Sequence, residues 1–515
     1  VDKILIVDFG GQTAQLIARR IRDFGVYSDI VAPETNLSPN ILSDVKGLIF
    51  SGSPWSVYEE GAPVVHPSAY ESGLPILGIC YGFHRMTTDF GGSVLGLAKK
   101  EYGRAALCFP KPSKLFDGVP EGFISWMSHG DSIAEVAEGF QITARSADHP
   151  AAAEDPEKRR YGLQFHPEVT HCEYGIKILE NFVFGICGAD KGWSMEGYLE
   201  EVSASIKKRV GDHPVLLLIS GGVDSSVVAG VLLSALDPEK VHLMYIDTGL
   251  MRKGETEAVR KSLEALGATH LSIIDAGDRF LHALEGVDDP EEKRRIIGDL
   301  FVEVQKSDIV GKIDGDYFLA QGTLYTDLIE SGKGVGKNAK VIKSHHNVRS
   351  PLIEAKRNAG MIIEPLDRLY KDEVRRLGRL IGLSESVVGR HPFPGPGLAV
   401  RILGAVDREK CRILREADAI FIEELHRRKL YDEIWQAFAV LLPIKSVGVT
   451  GDARRYGYVL ALRAIVSHDG MTADVYPFDT KDLLEISSLI TNSVSEIGRV
   501  VYDVSSKPPA TIEWE

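Results

Sequence analysis

The sequence predicts an α/β protein: two successive parallel-sheet α/β domains, then a small C-terminal α+β domain. Three observations carry this. Residues 4–8, 47–50 and 75–79 are short apolar runs, and Leu16, Ile17, Ile21 and Phe24 mark a helix between the first two, the βαβ rhythm of a helix-covered parallel sheet. The rhythm restarts at residues 215–219, five apolar residues that read as a strand buried on both faces, followed by a glycine turn, an apolar helix over 227–233 and a strand over 241–246. It stops at His391-Pro392-Phe393-Pro394-Gly395-Pro396-Gly397-Leu398, whose prolines and glycines exclude helix and central strand. The predicted domains are 1–188, 189–390 and 391–515.

Bulk properties narrow the function classes. A chain of 515 residues suits two or three domains. The net charge of −14 argues against a nucleic-acid-binding surface. Cys80, Cys108, Cys172, Cys187 and Cys411 form no C-x-x-C pair, the pattern of a reduced compartment without a zinc site. No run approaches eighteen apolar residues, and Val1-Asp2-Lys3 leads straight into a strand, so neither a membrane span nor a signal peptide is expected and the expected location is cytoplasmic.

In the first domain the third strand ends in Gly78-Ile79-Cys80-Tyr81-Gly82, a G-x-C-x-G with the form of a nucleophile elbow. Glycines flank the cysteine because the turn is too tight for side chains. The following helix start favours a thiolate, and the Tyr81 N–H points to where an oxyanion would form. A cysteine nucleophile needs a base and an orienting partner. His166 and Glu168, in Gln164-Phe165-His166-Pro167-Glu168, are two apart and share one face of an extended segment. The competing reading is a buried apolar cysteine and an unrelated surface H-x-E.

With GICYG and QFHPEV, residues 4–188 resemble the class I, or triad, glutamine amidotransferases. The resemblance implies Cys80 as nucleophile, His166 as base, Glu168 as its orienter, and Gly52, Ser53 and Tyr81 at the oxyanion. Gly10-Gly11-Gln12 and Trp126-Met127-Ser128-His129-Gly130-Asp131 fit the glutaminase domain of the GMP synthetase family. Two positions depart from that pattern. His84 replaces a glutamine that helps hold the substrate glutamine, which predicts a contact weakened by about 1–2 kcal/mol. Ser53 replaces a glycine, which would cost roughly 1 kcal/mol if the position needs positive φ.

In the second domain, Tyr198, Leu199, Val202, Ile206 and Val210 form the stripe of a helix that ends at Lys207-Lys208-Arg209. The turn Ser220-Gly221-Gly222-Val223-Asp224-Ser225-Ser226 then places free N–H groups and two hydroxyls at a helix start, an anion site. No G-K-[ST] follows, so it is not a Walker A loop and suits pyrophosphate. Asp224 is acidic and is expected to act through Mg²⁺. Asp247, at the end of the next strand, is placed either to line an adenosine or to cap a helix.

SGGVDSS resembles the pyrophosphate loop of the N-type ATP pyrophosphatases, whose fold is adenine-nucleotide α-hydrolase-like. That resemblance assigns ATP to Ser220, Gly221, Gly222, Val223, Asp224, Ser225, Ser226 and Asp247, and Mg²⁺ to Asp224. Residues 330–347, with three glycines and four lysines, read as a lid, and its match to the GMP synthetase family makes Lys343 an ATP contact.

After residue 398 the sequence predicts helices over about 409–427 and 481–497 and strands near 447–449, 458–462 and 499–504. HPFPGPGLA, KSVGVTGD and SSKPPATIEWE resemble the dimerisation domain of the GMP synthetase family, extending the resemblance over essentially the whole chain. It implies a homodimer and XMP binding by Asp452, Lys507 and Glu513, and Pro290-Glu291-Glu292-Lys293-Arg294-Arg295-Ile296-Ile297-Gly298, which resembles a signature of the same family, adds Arg294. The implied activity consumes XMP, ATP and glutamine: XMP is adenylated and ammonia from glutamine displaces AMP. An ammonia-dependent synthetase with an impaired glutaminase and a non-enzymatic nucleotide sensor are the alternatives.

Overall fold

A computed structural model describes residues 1–11, 13–146, 149–309, 313, 315–330, 351–450, 453–467 and 473–515. These form two compact units. One holds Val1–Tyr198 with the described part of Tyr325–Lys343, the other Leu199–Leu324 with the described part of Ser344–Glu515.

Among the described residues, the first unit is built on a nine-stranded sheet. Its parallel half runs in the order Tyr27–Val31, Lys3–Val7, Val45–Phe50, Ile76–Ile79, Arg160–Leu163. The inner strands are apolar on both faces, as burial between two helical layers requires: Ile4, Leu5, Ile6, Leu48, Ile49, Phe50, Leu77 and Ile79 are all buried. The helix Ala14–Asp23 covers them with Ile17, Ala18 and Ile21.

The other half is antiparallel, through His149–Asp155, Gln141–Ser146, Ser93–Cys108 and Ile124–Glu135. The apolar-run criterion does not detect these strands. Residues 93–108 carry Lys99, Lys100, Glu101 and Arg104 amid glycine and alanine, so no clean alternation marks them. Pairing to a sheet nucleated elsewhere supplies what local pattern lacks.

The second unit contains a five-stranded parallel sheet, ordered His270–Asp275, Val241–Asp247, Val215–Ile219, Phe318–Ala320, Ile362–Ile363. From the central strand Val215–Ile219 the chain first moves to one side and later returns to the other. The turn after that strand therefore lies at the topological switch point, where open α/β sheets bind ligands. The helix that follows, Val223–Ala235, is buried nearly all round by Val227, Val228, Ala229, Val231 and Leu232.

The same unit carries the C-terminal α+β portion. Here the expected strand fragments merge into the long hairpin Gln436–Thr450 and Ala453–Val466, joined by Asp474–Val475 and Ile497–Tyr502. Helices Arg408–Arg427 and Thr480–Ser493 cover it. The boundary expected at 391 does not separate compact units, because one apolar core crosses it: Ile246, Leu250, Phe280, Ile297 and Val304 pack with Leu398, Ile402, Leu414, Phe421 and Leu460. Within the prolyl segment the Leu398 N–H bonds the Leu250 carbonyl at 2.8 Å. No helix of the described residues is long and apolar enough to cross a membrane.

Candidate active sites

In the first unit, the carboxyl ends of four neighbouring parallel strands bring the expected residues together. Cys80 follows strand Ile76–Ile79 at φ 50°, a strained value for a side-chain-bearing residue, and opens the helix Tyr81–Asp89. The elbow glycines are required: a Cβ on Gly78 would lie 2.7 Å from the Gly82 backbone. Backbone bonds fix the turn, with Cys80 N–H to Leu163 O at 2.7 Å and Gly82 N–H to Ser51 O at 3.1 Å. Tyr81 is the first helical residue, so its N–H belongs to the orphan donors of a helix start.

His166 is 9 % exposed and Glu168 fully buried. His166 Nδ1 donates to Glu168 Oε1 at 2.7 Å. Burial pushes the imidazolium pKa down, but the Glu168 carboxylate and the Cys80 sulfur outweigh it and hold the ring well above its ordinary value. That is the electrostatics of an imidazolium held by a buried carboxylate. A Cβ on Gly52 would lie 3.2 Å from His166 Cε1 and 3.9 Å from Cys80 Cβ, so this bare backbone faces both residues. Ser53 Oγ donates to Phe9 O at 2.8 Å. Ser53 is not among the described positive-φ residues, so serine in place of glycine carries no such strain here. His84 turns inward: it is buried, and its Nε2 lies 2.7 Å from Gln164 Oε1. Gln12 of the resemblance falls outside the described residues.

In the second unit, the Ser220–Ser226 turn is tied internally. Ser220 N–H donates to Ser225 Oγ at 3.3 Å, and the Ser225 and Ser226 hydroxyls donate to Gly222 O at 3.2 and 3.0 Å. Gly221 adopts φ 80°, which glycine takes without strain. Asp224 projects from the first turn of Val223–Ala235, and the Lys371 ammonium lies 2.6 Å from each of its oxygens. Asp247 caps its own loop: Oδ1 accepts from Gly249 N–H at 2.9 Å and Oδ2 from the Thr256 hydroxyl at 2.6 Å. It also lines a cavity of about 550 Å³ with Asp275, Arg252 and Arg415.

The tail residues gather around three fully buried cations. Arg401 donates to Glu513 at 2.8 and 3.1 Å, Lys293 to Glu515 at 2.6 Å, and Arg463 to the carbonyls of Ser505, Thr511 and Ile512. Arg294 donates to Glu515 O at 2.6 Å, and the Gln436 amide to Glu513 at 2.8 Å. Lys507 pairs through its backbone with Ala473. Lys343, Asp452 and the lid residues 331–347 lie outside the described residues.

Sequence reasoning missed Gln164, Lys371, Gln436, Arg401 and the pair Glu255–Arg390. The last lies at the pyrophosphate turn, Glu255 buried and Arg390 partly so, with the Arg390 guanidinium 2.9 Å from both Gly221 O and Glu255. A signal existed only for Gln164, two residues before His166; the others lie far along the chain from the groups they meet.

Known proteins match this arrangement. The family described as "Glutamine amidotransferase class-I" matches residues 5–186, "Asparagine synthase" 197–294, and "GMP synthase C terminal domain" 423–514. A GMP synthase [glutamine-hydrolyzing] of Aquifex aeolicus (strain VF5) is 50% identical over 99% of both chains. One from Enterococcus faecalis (strain ATCC 700802 / V583) is 48% identical over 100% of this chain and 98% of its own. Among solved structures, a putative GMP synthase protein of Thermoplasma acidophilum is 31% identical over 36% of this chain and 94% of its own, with a TM-score of 0.32. With both catalytic motifs and the tail spanned by full-length relatives at this identity, the chain belongs to the glutamine-hydrolysing GMP synthase family.

Proposed function

We propose that this chain converts XMP, ATP, glutamine and water into GMP, AMP, pyrophosphate and glutamate. The observation that carries the reading is the buried Cys80–His166–Glu168 constellation in a chain that also holds a pyrophosphate-type turn at a switch point. Its three working parts are 1–188, 189–390 and 391–515.

The Cys80 thiolate attacks the side-chain carbonyl carbon of glutamine. The negative charge that develops on oxygen is met by the backbone N–H groups of Tyr81 and of the Gly52-Ser53 turn. His166 gives its proton to the departing nitrogen, ammonia leaves, and a thioester remains on Cys80. His166 then takes a proton from water, the hydroxide adds to the thioester, and glutamate is released. Glu168 keeps the imidazole oriented and stabilises its charged form.

At the second site the 2-oxygen of XMP attacks the α-phosphorus of ATP and pyrophosphate leaves. Ammonia then displaces AMP from that carbon. Adenylation is needed because a urea-like carbonyl oxygen is a poor leaving group and AMP a good one. The N–H groups and hydroxyls of Ser220, Gly221, Gly222, Val223, Ser225 and Ser226 receive the pyrophosphate, with Asp247 and Lys343 as further ATP contacts. Lys371, already within reach of this turn, supplies a mobile positive charge to the phosphates.

Asp224 fits the Mg²⁺ role: it is a partly exposed carboxylate whose two oxygens already attract a cation. Among the described residues no three His, Cys, Asp or Glu gather as a metal site, so Asp224 would share the ion with the phosphates of ATP. When bound, the ion would neutralise charge on the leaving pyrophosphate. Arg294, Asp452, Lys507 and Glu513 are assigned to XMP. Exposed Ile444, Val447, Val449 and Tyr456 on the long hairpin support a homodimer through the C-terminal portion, and the location is cytoplasmic.

GMP formation from XMP and ATP, measured with glutamine and with ammonium, tests the reading. No pyrophosphate release from ATP and XMP under either nitrogen source would overturn it.

A further inference from the structure

Two of the buried polar side chains of the first unit that the mechanism above does not use lie beside Cys80. Gln164 is 1 % exposed and His84 3 %. His84 lies four residues beyond Cys80, one turn along the same helix, and its N–H bonds the Cys80 carbonyl at 3.0 Å. Gln164 directly follows the strand Arg160–Leu163 and is pinned by its N–H to Ala151 O at 2.8 Å. The two side chains meet at 2.7 Å between His84 Nε2 and Gln164 Oε1, and Gln164 Nε2 reaches to 3.9 Å from Cys80 Sγ.

A carboxamide oxygen carries no proton, so in this arrangement His84 Nε2 must be the donor. Burial pulls the His84 pKa from 6.5 to about 4, so a single ring proton is present at neutral pH. The site of that proton matters. With it on Nε2, the Gln164 oxygen is engaged and its N–H₂ turns toward the sulfur. With it on Nδ1, the carboxamide would reverse and present a carbonyl oxygen to a thiolate, an unfavourable contact between two electron-rich atoms.

We propose that His84 is a positioning residue for the nucleophile, locking the Gln164 carboxamide so that its N–H stabilises the Cys80 thiolate. The proposal rests on Cys80 being the nucleophile. It also gives the departure at position 84 a physical meaning, because the ring reaches the sulfur through Gln164. At 3.9 Å the N–H···S contact is weak, so the effect is modest.

The test is the pH profile of iodoacetamide inactivation, read as loss of glutaminase activity so that other cysteines do not contribute. Gln164→Met keeps the volume and removes the amide. It is expected to move the profile's midpoint up by about half a unit and to lower glutaminase kcat about three- to tenfold, with KM for glutamine changed less than twofold. His84→Leu should do the same, and the double variant should shift no further. His84→Gln, whose amide can also donate to Gln164, should restore the wild-type profile.

An unmoved profile in a Gln164→Met protein with wild-type thermal unfolding overturns the proposal, as do additive shifts in the double variant. If His84→Leu fails to fold, Gln164→Met and His84→Gln alone decide. Glutamine-dependent synthesis surviving in Cys80→Ala would instead overturn the nucleophile reading itself.

Discussion

The two candidate sites hold their charges differently. In the first unit the charges are built in and buried: His166 and Glu168 side chains are 11% and 0% exposed, and Cys80 sits in a strained turn that packing enforces. At the pyrophosphate turn the pair Lys371–Asp224 is partly exposed, at 46% and 30%, while Glu255 at the same turn is buried and paired with Arg390. The substrates explain the contrast. Glutamine's carboxamide is neutral and brings no charge to its reacting end, so a site that takes it must supply its own, as the Glu168–His166 pair does. ATP is a polyanion, so the protein needs cations that can let go of an internal partner. A partly exposed pair is worth about 0–1 kcal/mol and is easily exchanged. The tail lies between these cases, since Arg401–Glu513 and Lys293–Glu515 each bury the cation fully while the carboxylate stays partly accessible.

The largest effect should come from the built-in site. Cys80→Ala is expected to lower glutamine-driven GMP synthesis by about a thousandfold or more while the ammonia-driven rate stays within about twofold. Equal loss of both rates would show Cys80 to be structural and erase the contrast. At the exchangeable site, Asp224→Asn should lower pyrophosphate release about a hundredfold with unchanged unfolding. Lys371→Met should raise the ATP requirement about tenfold, and a normal ATP dependence would make Lys371 a passive counterion. Arg401→Met tests the intermediate case. It leaves Glu513 with Gln436 and partial solvent contact, so about 1–3 kcal/mol of stability should be lost and the XMP requirement should rise. A shift in unfolding alone would make the tail a packing element.

The built-in site was also the more legible in sequence, for the same reason. Cys80 stands between two glycines that its turn demands, and His166 and Glu168 lie two residues apart, so local pattern and tertiary geometry agree. The parallel strands were legible because burial on both faces writes continuous apolar runs. The antiparallel half of the same sheet was not, because Lys99, Lys100 and Glu101 break the alternation that would mark it. In the second unit Asp224 announced itself beside two glycines, but its partner Lys371 lies 147 residues away and reads as an ordinary helix-start lysine. The boundary at 391 shows where secondary structure and core part ways. Prolines forecast a break in secondary structure, and Leu398 nevertheless continues the core begun by Leu250.

The smallest effect is pH-dependent and separates the units by shape. Burial pulls the pKa of His84 in the first unit and of His391 in the second from 6.5 to about 4. Between those values the unfolded chain binds a proton that the folded chain refuses, so stability is complete above pH 6.5 and falls as pH drops toward 4. By pH 5.5 each should remove about 1 kcal/mol. His166 acts with the opposite sign: its raised pKa gives stability that is full below 6.5 and is lost as pH climbs through the folded value. The histidine contribution should therefore be bell-shaped in the first unit and a simple acid-side decline in the second. Unfolding midpoints against pH, taken as differences between wild type and His84→Gln, His391→Phe or His166→Gln, isolate each arm. The acid arm should flatten in the first two variants and the alkaline arm in the third. An alkaline arm that persists in His166→Gln would mean that the imidazolium is not held by Glu168 and Cys80, and the claim of a charge built in before substrate arrives would fail with it.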